Sequence, residues 1–217
     1  MSILNDLSKD TVIFISGTPC TGKTTVASEL NDYLSDNGLD SKLIKINDFA
    51  FENNLVLGED PDKFYKVIDI DKLNECLNKE ISQSTDKILI VEGHLSHLCE
   101  GADKMIVLRL NPSILKARLE ERNYSESKIQ ENLEAEALAV CSAEAYEIYG
   151  DKANEIDASD KSIDEGRDLI LAIASDELEC PVGSIDFMEW LLNQWISKLN
   201  EVIKAAHYRL RWFNVLN

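Results

Sequence analysis

The residues best suited to chemistry come early: GTPCTGKTT at positions 17–25, directly after the apolar run TVIFIS. Gly17, four residues, then Gly22, Lys23 and Thr24 is the Walker A spacing. In that pattern backbone amides surround phosphate oxygens while the lysine and the hydroxyl serve phosphate and Mg2+. Closely spaced glycines let several N–H groups converge, and the helix that follows points its positive end at the same anion. Such a loop needs a buried strand before it and a helix after it. Thr11–Ser16 is β-rich and apolar, and from Thr24 onward Val26, Leu30 and Leu34 recur four apart. The stretch is therefore expected to bind a nucleoside triphosphate, which leaves open what becomes of the phosphate.

A second set of candidates follows the apolar run at 88–91, in ILIVEGHLSH. An acidic residue at such a strand end holds the magnesium shell or orients the attacking group, so Glu92 is expected to share a metal with Thr24 or to act as a base. Being one methylene longer than Asp, it would reach the metal through a water. His94, two residues on, falls at the carboxyl edge where ligands of open α/β sheets bind. His97 reads more simply as a structural group. Phosphoryl transfer also calls for planar, permanently charged side chains. Of the six arginines, Arg118 and Arg122 lie four apart, on one face of a short helix, and are the expected phosphate clamps.

These residues need a scaffold, and the sequence alternates strands and helices as a parallel α/β sheet does. Strands are expected at Thr11–Ser16, Lys42–Ile46, Lys87–Val91, Met105–Leu110 and Asn154–Ala158. Helices are expected at Thr24–Leu34, Asp69–Ile81, Pro112–Glu121 and Ser162–Ala174, with one long helix from Ser125 to Gly150. A last helix, Ile185–Ala206, has apolar three-and-four spacing that predicts packing against the sheet. The apolar end residues Trp212, Phe213, Val215 and Leu216 read instead as a contact surface. Residues 47–68 break the rhythm and read as an inserted substrate-binding segment.

Composition sets the outer limits. At 217 residues, 44% hydrophobic, the chain is expected to form one domain with insertions. A net charge of −18 opposes direct nucleic-acid binding and makes a basic protein the expected macromolecular partner. Five scattered cysteines point to reduced, mainly buried thiols. Without a membrane-length apolar run or a signal-peptide pattern, a soluble, cytoplasmic protein is expected.

ISGTPCTGKTTVA, VIDIDKL, VEGHLSHL, VLR, RLEERNY and VGSIDFMEWL together resemble, in order and spacing, the atypical adenylate kinases of archaea and the eukaryotic nucleus. These isoenzyme six-like proteins are also described as ribosome-maturation ATPases, and the resemblance spans most of residues 11–192. It implies a P-loop NTPase fold of the nucleoside monophosphate kinase type, a five-stranded parallel sheet flanked by helices. Residues 47–68 would then be the NMP-binding insertion, 121–131 a short lid and 185–217 a helical extension of a single domain, 1–217. It further implies nucleotide contacts from Gly22, Lys23, Thr24, Thr25 and Arg122, and phosphoryl transfer from ATP to AMP or another nucleoside monophosphate. Some members also hydrolyse ATP in small-subunit maturation, with a basic ribosomal protein as partner. Three departures stand out: Cys20 and Asn123 where glycine is usual, and Glu92-Gly93 for the Asp and aromatic of nuclear members. Cys20 places a side chain beside the phosphates, and a positive φ there would cost roughly 1–2 kcal/mol. An ATP-hydrolysing assembly switch and a small-metabolite kinase remain alternatives at this level.

Overall fold

The computed structural model describes residues 10–59 and 66–215, and for Glu59 and residues 205–215 the backbone alone. Five parallel strands form the sheet: β1 (Thr11–Ser16), β2 (Ser41–Lys45), β5 (Ile88–Glu92), β6 (Lys104–Arg109) and β7 (Ala153–Asp157). Their order is β2-β5-β1-β6-β7, which puts β1 at the centre and lets its carboxyl end open between β5 and β6. β5 is buried at every residue, as its unbroken apolar run requires of a strand covered on both faces.

Alternation along β1 assigns the two layers. Ile13 and Ile15 face α1 (Lys23–Asp36) and α7 (Ile163–Ala174), packing with Leu30, Leu34, Ile170 and Ile173. Phe14 faces the other side, where α2 (Ile46–Glu52), α3 (Ile70–Gln83) and α6 (Val140–Tyr149) contribute Ile46, Leu73, Leu77 and Ala145. α4 (Pro112–Glu121) and α5 (Glu126–Ala137) cover a third cluster around Leu110, Leu115, Leu119, Ile129 and Leu133. The helix starts follow local chemistry. Asp69, Asn111 and Ser125 each accept a backbone N–H at their helix's first turn, and Ser162 with Glu165 forms a reciprocal capping box.

Two expectations need correcting, and the inserted segment gains detail. The stretch from Ser125 to Gly150 is two helices, because Ala139 sits in the left-handed region at φ 55°. The cause is tertiary. Arg109 Nη2 donates to the Glu136 carbonyl at 2.7 Å, and the Ala139 amide closes a turn on the same oxygen at 3.1 Å. Within the inserted segment 47–68, α2 is followed by two short strands, β3 (Val56–Glu59) and β4 (Lys66–Ile68), paired antiparallel. Finally, the last helix, α8 (Met188–Val215), does not lie on the sheet. Its Leu191 is buried, but Leu192 to Lys204 are exposed throughout. The side chains of Trp212, Phe213, Val215 and Leu216 lie outside the described residues.

Arg109, at the end of β6, is 1% exposed and bonds two buried carboxylates, Glu136 through Nε (2.9 Å) and Glu155 through Nη1 (3.1 Å). Removing the cation would leave both carboxylates buried without it, the costly way to break such a group. Arg109→Met is expected to lower unfolding free energy by at least about 3–5 kcal/mol. Arg109→Lys is expected to recover only part of it, since one ammonium cannot reproduce the planar fork. Denaturant unfolding at neutral pH measures both.

Candidate active site

Strand β1 delivers the chain into a turn that only glycine fits. Gly17 has φ 138°, and a Cβ there would lie 2.3 Å from the Leu108 carbonyl oxygen of the neighbouring β6. The loop then curls around the Thr18 carbonyl, which accepts from Thr21 Oγ1 at 2.9 Å and from Lys23 Nζ at 2.8 Å. Gly22, at φ 108°, opens α1 with no side-chain cap and no acidic residue in the first turn. The helix's positive end is thus left for an outside anion.

Cys20 does adopt the strained geometry, at φ 71°. Its side chain, however, packs with Leu110, Leu115, Leu119, Ile129 and Leu133. Burial of the thiol against α4 and α5 offsets backbone strain of a similar size. Asn123, at φ 57°, takes the left-handed turn that closes α4, a geometry its short polar side chain tolerates.

Around the loop stand the other candidates. Lys23 is 7% exposed, and burial lowers its pKa, while Glu92 and Glu136 act in the opposite sense. Thr24 Oγ1 lies 3.2 Å from both oxygens of Glu92, whose carboxyl pKa is raised by burial against the pull of Thr24 and Lys23. A hydroxyl beside a buried carboxylate is a set of hard oxygen donors, which fits a divalent cation such as Mg2+. Arg118 Nη1 reaches the carbonyls of Cys20 (3.3 Å) and Thr21 (3.4 Å) over the crown of the loop. Arg122 does not join it. It is the C-terminal cap of α4 and exposed, and Thr25 likewise faces solvent.

His94 Nδ1 lies 3.1 Å from the Gly17 carbonyl, so Nδ1–H donates and Nε2 keeps its lone pair. The ring is open to solvent on one side, yet the protein atoms crowding it, and then Lys23, push its pKa down to about 4. His97 is fully built in. Its Nε2–H donates to Glu144 at 2.8 Å and its bare Nδ1 accepts from the Ser16 hydroxyl at 2.6 Å.

The sequence reading missed the support beneath the loop. Thr18 Oγ1 donates to Glu136, which also accepts from the Leu110 amide at 2.9 Å and from Arg109. Glu155 in turn accepts from Ser142, Gly183, Ser184 and Ile185. A signal existed: Glu136 falls on the apolar stripe of Ile129 and Leu133, where an acidic residue needs a buried partner. To one side, a groove of about 570 Å³ runs between β2, α2 and α3, lined by Lys45, Asp48, Phe49 and Cys76 among others. Lys45 and Asp48 also act electrostatically on Glu92.

A glycine loop joining the central strand of a parallel sheet to an uncapped helix defines a P-loop α/β protein. A family profile described as an AAA domain matches residues 13–139. Proteins named "putative adenylate kinase" match most of the chain. The one from Methanothermobacter thermautotrophicus is 42% identical over 181 residues, covering 83% of this chain and 99% of that protein. Those from Methanococcus maripaludis and Methanocaldococcus jannaschii are 40% and 37% identical, covering 82% of this chain and 96% and 93% of theirs. The chain belongs to this archaeal adenylate kinase-like family.

His97 generates a pH dependence. Burial lowers its pKa, against the pull of Glu144 and with Lys23 acting in the same sense as burial; His94 packs 6.1 Å away, ring to ring. The unfolded chain takes up its proton near pH 6.5, so below that pH the unfolded state binds more protons. Stability is therefore expected to fall as pH drops from about 6.5 toward the lower folded value. Denaturant unfolding at several pH values would read this, and His97→Gln should reduce the slope over that window, leaving the share that His94, lowered to about 4, contributes.

Proposed function

We propose that this protein is a nucleoside monophosphate kinase, transferring the terminal phosphoryl group of ATP to AMP or a related monophosphate with Mg2+ as the metal. The observation that carries it is the meeting of Lys23, the Thr24–Glu92 pair and Arg118 at one loop and helix N-terminus. Family membership supports the same reading. Lys23 would exchange the Thr18 carbonyl for phosphate oxygens, a change that needs only side-chain rotation. Thr24 and Glu92 would hold Mg2+, which when bound neutralises charge on the phosphates. Arg118 would lie along the transferring group. Arg122, exposed at the start of residues 121–131, would arrive as that segment closes as a lid. Residues 47–68 would hold the acceptor, with the groove by Lys45 and Asp48 as its entrance.

A second reading has one observation in its favour. A monophosphate is already anionic and needs no base, whereas water as acceptor must be oriented. His94, fixed through Nδ1 to Gly17 and bare at Nε2, is placed for that task. An ATP-hydrolysing switch, released or stimulated by a basic small-subunit ribosomal protein, would use it.

One coupled assay decides between them. AMP-dependent ADP formation is expected to exceed hydrolysis without acceptor by at least about tenfold, some 1.4 kcal/mol in barrier. Lys23→Ala should abolish transfer with the circular dichroism spectrum unchanged, and His94→Ala should reduce hydrolysis more than transfer. Equal ATP turnover with and without every monophosphate tested, raised by the ribosomal protein, would instead establish the switch.

A further inference from the structure

The last helix poses a question that nucleotide chemistry does not answer. α8 spans 28 residues, about 42 Å at 1.5 Å per residue, yet among its described side chains the hold on the body is confined to its start. Leu191 is buried against the body, and Trp190 Nε1 donates to Ser113 Oγ at 3.0 Å. Beyond that point the helix is exposed all round as far as Lys204. Helices of this kind draw most of their stability from packing an apolar face, so a free apolar face implies a partner.

The face has a definite form. Met188, Leu192, Trp195, Leu199 and Val202 step by four, three, four and three residues, the seam of a coiled coil, and are 37–65% exposed. Ile196 (56%) and Ile203 (53%) widen it on one side. We infer that α8 pairs through this seam with α8 of a second copy of the chain, making the protein a self-associating assembly held by its C-terminal helices.

Three observations favour a second copy over other occupants. A heptad seam is self-complementary, so the same residues meet across a two-fold axis. Covering the seven side chains on two copies would remove about 1,200 Å² from water, the lower bound of a stable specific interface. Charge points the same way. α8 carries Glu189 and Glu201 against Lys198, Lys204, Arg209 and Arg211, a net +2, whereas the whole chain carries −18. Copies that repel through their acidic bodies would thus meet through a segment that does not share the bodies' charge and reaches away from them. A basic partner would find the body more attractive than this helix, and an anionic lipid surface would repel the body.

Sedimentation velocity of the full chain across a dilution series tests the inference, with ATP binding measured in parallel. The wild-type protein is expected at twice the 24.4 kDa chain mass or more. Leu199→Glu together with Val202→Glu changes only exposed side chains, so ATP binding should persist. Self-association should weaken by at least about a hundredfold, because an unpaired carboxylate in an apolar seam is heavily penalised. Asn200→Glu, off the seam, should keep the wild-type mass. A wild-type chain that is monomeric throughout, or a Leu199→Glu/Val202→Glu variant that associates as the wild type does, overturns the inference. So does equal loss in Asn200→Glu, or a monomer that sediments only with phosphatidylserine vesicles, which would assign the face to a membrane.

Discussion

One arginine holds two halves of this molecule in register. Arg109 ends β6, and its guanidinium is shared between Glu136, from the end of α5, and Glu155, from the middle of β7. Each carboxylate is then used again. Glu136 ties down Thr18 in the glycine loop and the Leu110 amide, and Glu155 gathers the amides of Gly183 and Ile185 ahead of α8. Buried charge of this kind contributes little net stability, but losing one member is expensive, so it enforces a single arrangement. The position of the loop relative to β6, α5 and the chain leading to α8 follows from that enforcement.

The loop itself shows how backbone geometry and packing offset each other. Gly17 and Gly22 take conformations forced by the turn, and at Gly17 the neighbouring strand excludes any side chain. Cys20 is the informative case, since a residue with a Cβ stands in the left-handed region. It is tolerated because its thiol becomes part of the apolar cluster beneath α4 and α5. The glycine loop and that cluster are thereby built from the same residue.

Much of this was legible in the sequence, and the reasons differ by element. The buried strands announced themselves as apolar runs, and α4 was readable to its ends because Pro112 starts it and the Arg122–Asn123 turn stops it. The Walker A spacing placed Lys23 and Thr24, and the position of Glu92 after an apolar run brought it to Thr24. What could not be read depended on contacts distant along the chain. LEAEALAVCSAEAYEIY consists largely of good helix formers, and nothing local says that Arg109 will take the Glu136 carbonyl and interrupt it at Ala139. Three-and-four spacing in α8 correctly gave a helix, but periodicity does not say what covers a face. Arg118 and Arg122 share a helical spacing, yet one ends over the loop and the other in solvent, because α4 stops between them.

Glu136 has a mechanical consequence. It sits at the far end of α5, the helix whose first turn lies just beyond the exposed Arg122. Its carboxylate grips Thr18, whose carbonyl in turn holds Lys23. Through Ile129 and Leu133, α5 also packs onto the cluster beneath α4, so residues 121–131 and the glycine loop share one packed helix. Thr18, and through it the lysine, is thus tied to the helix that begins just after Arg122.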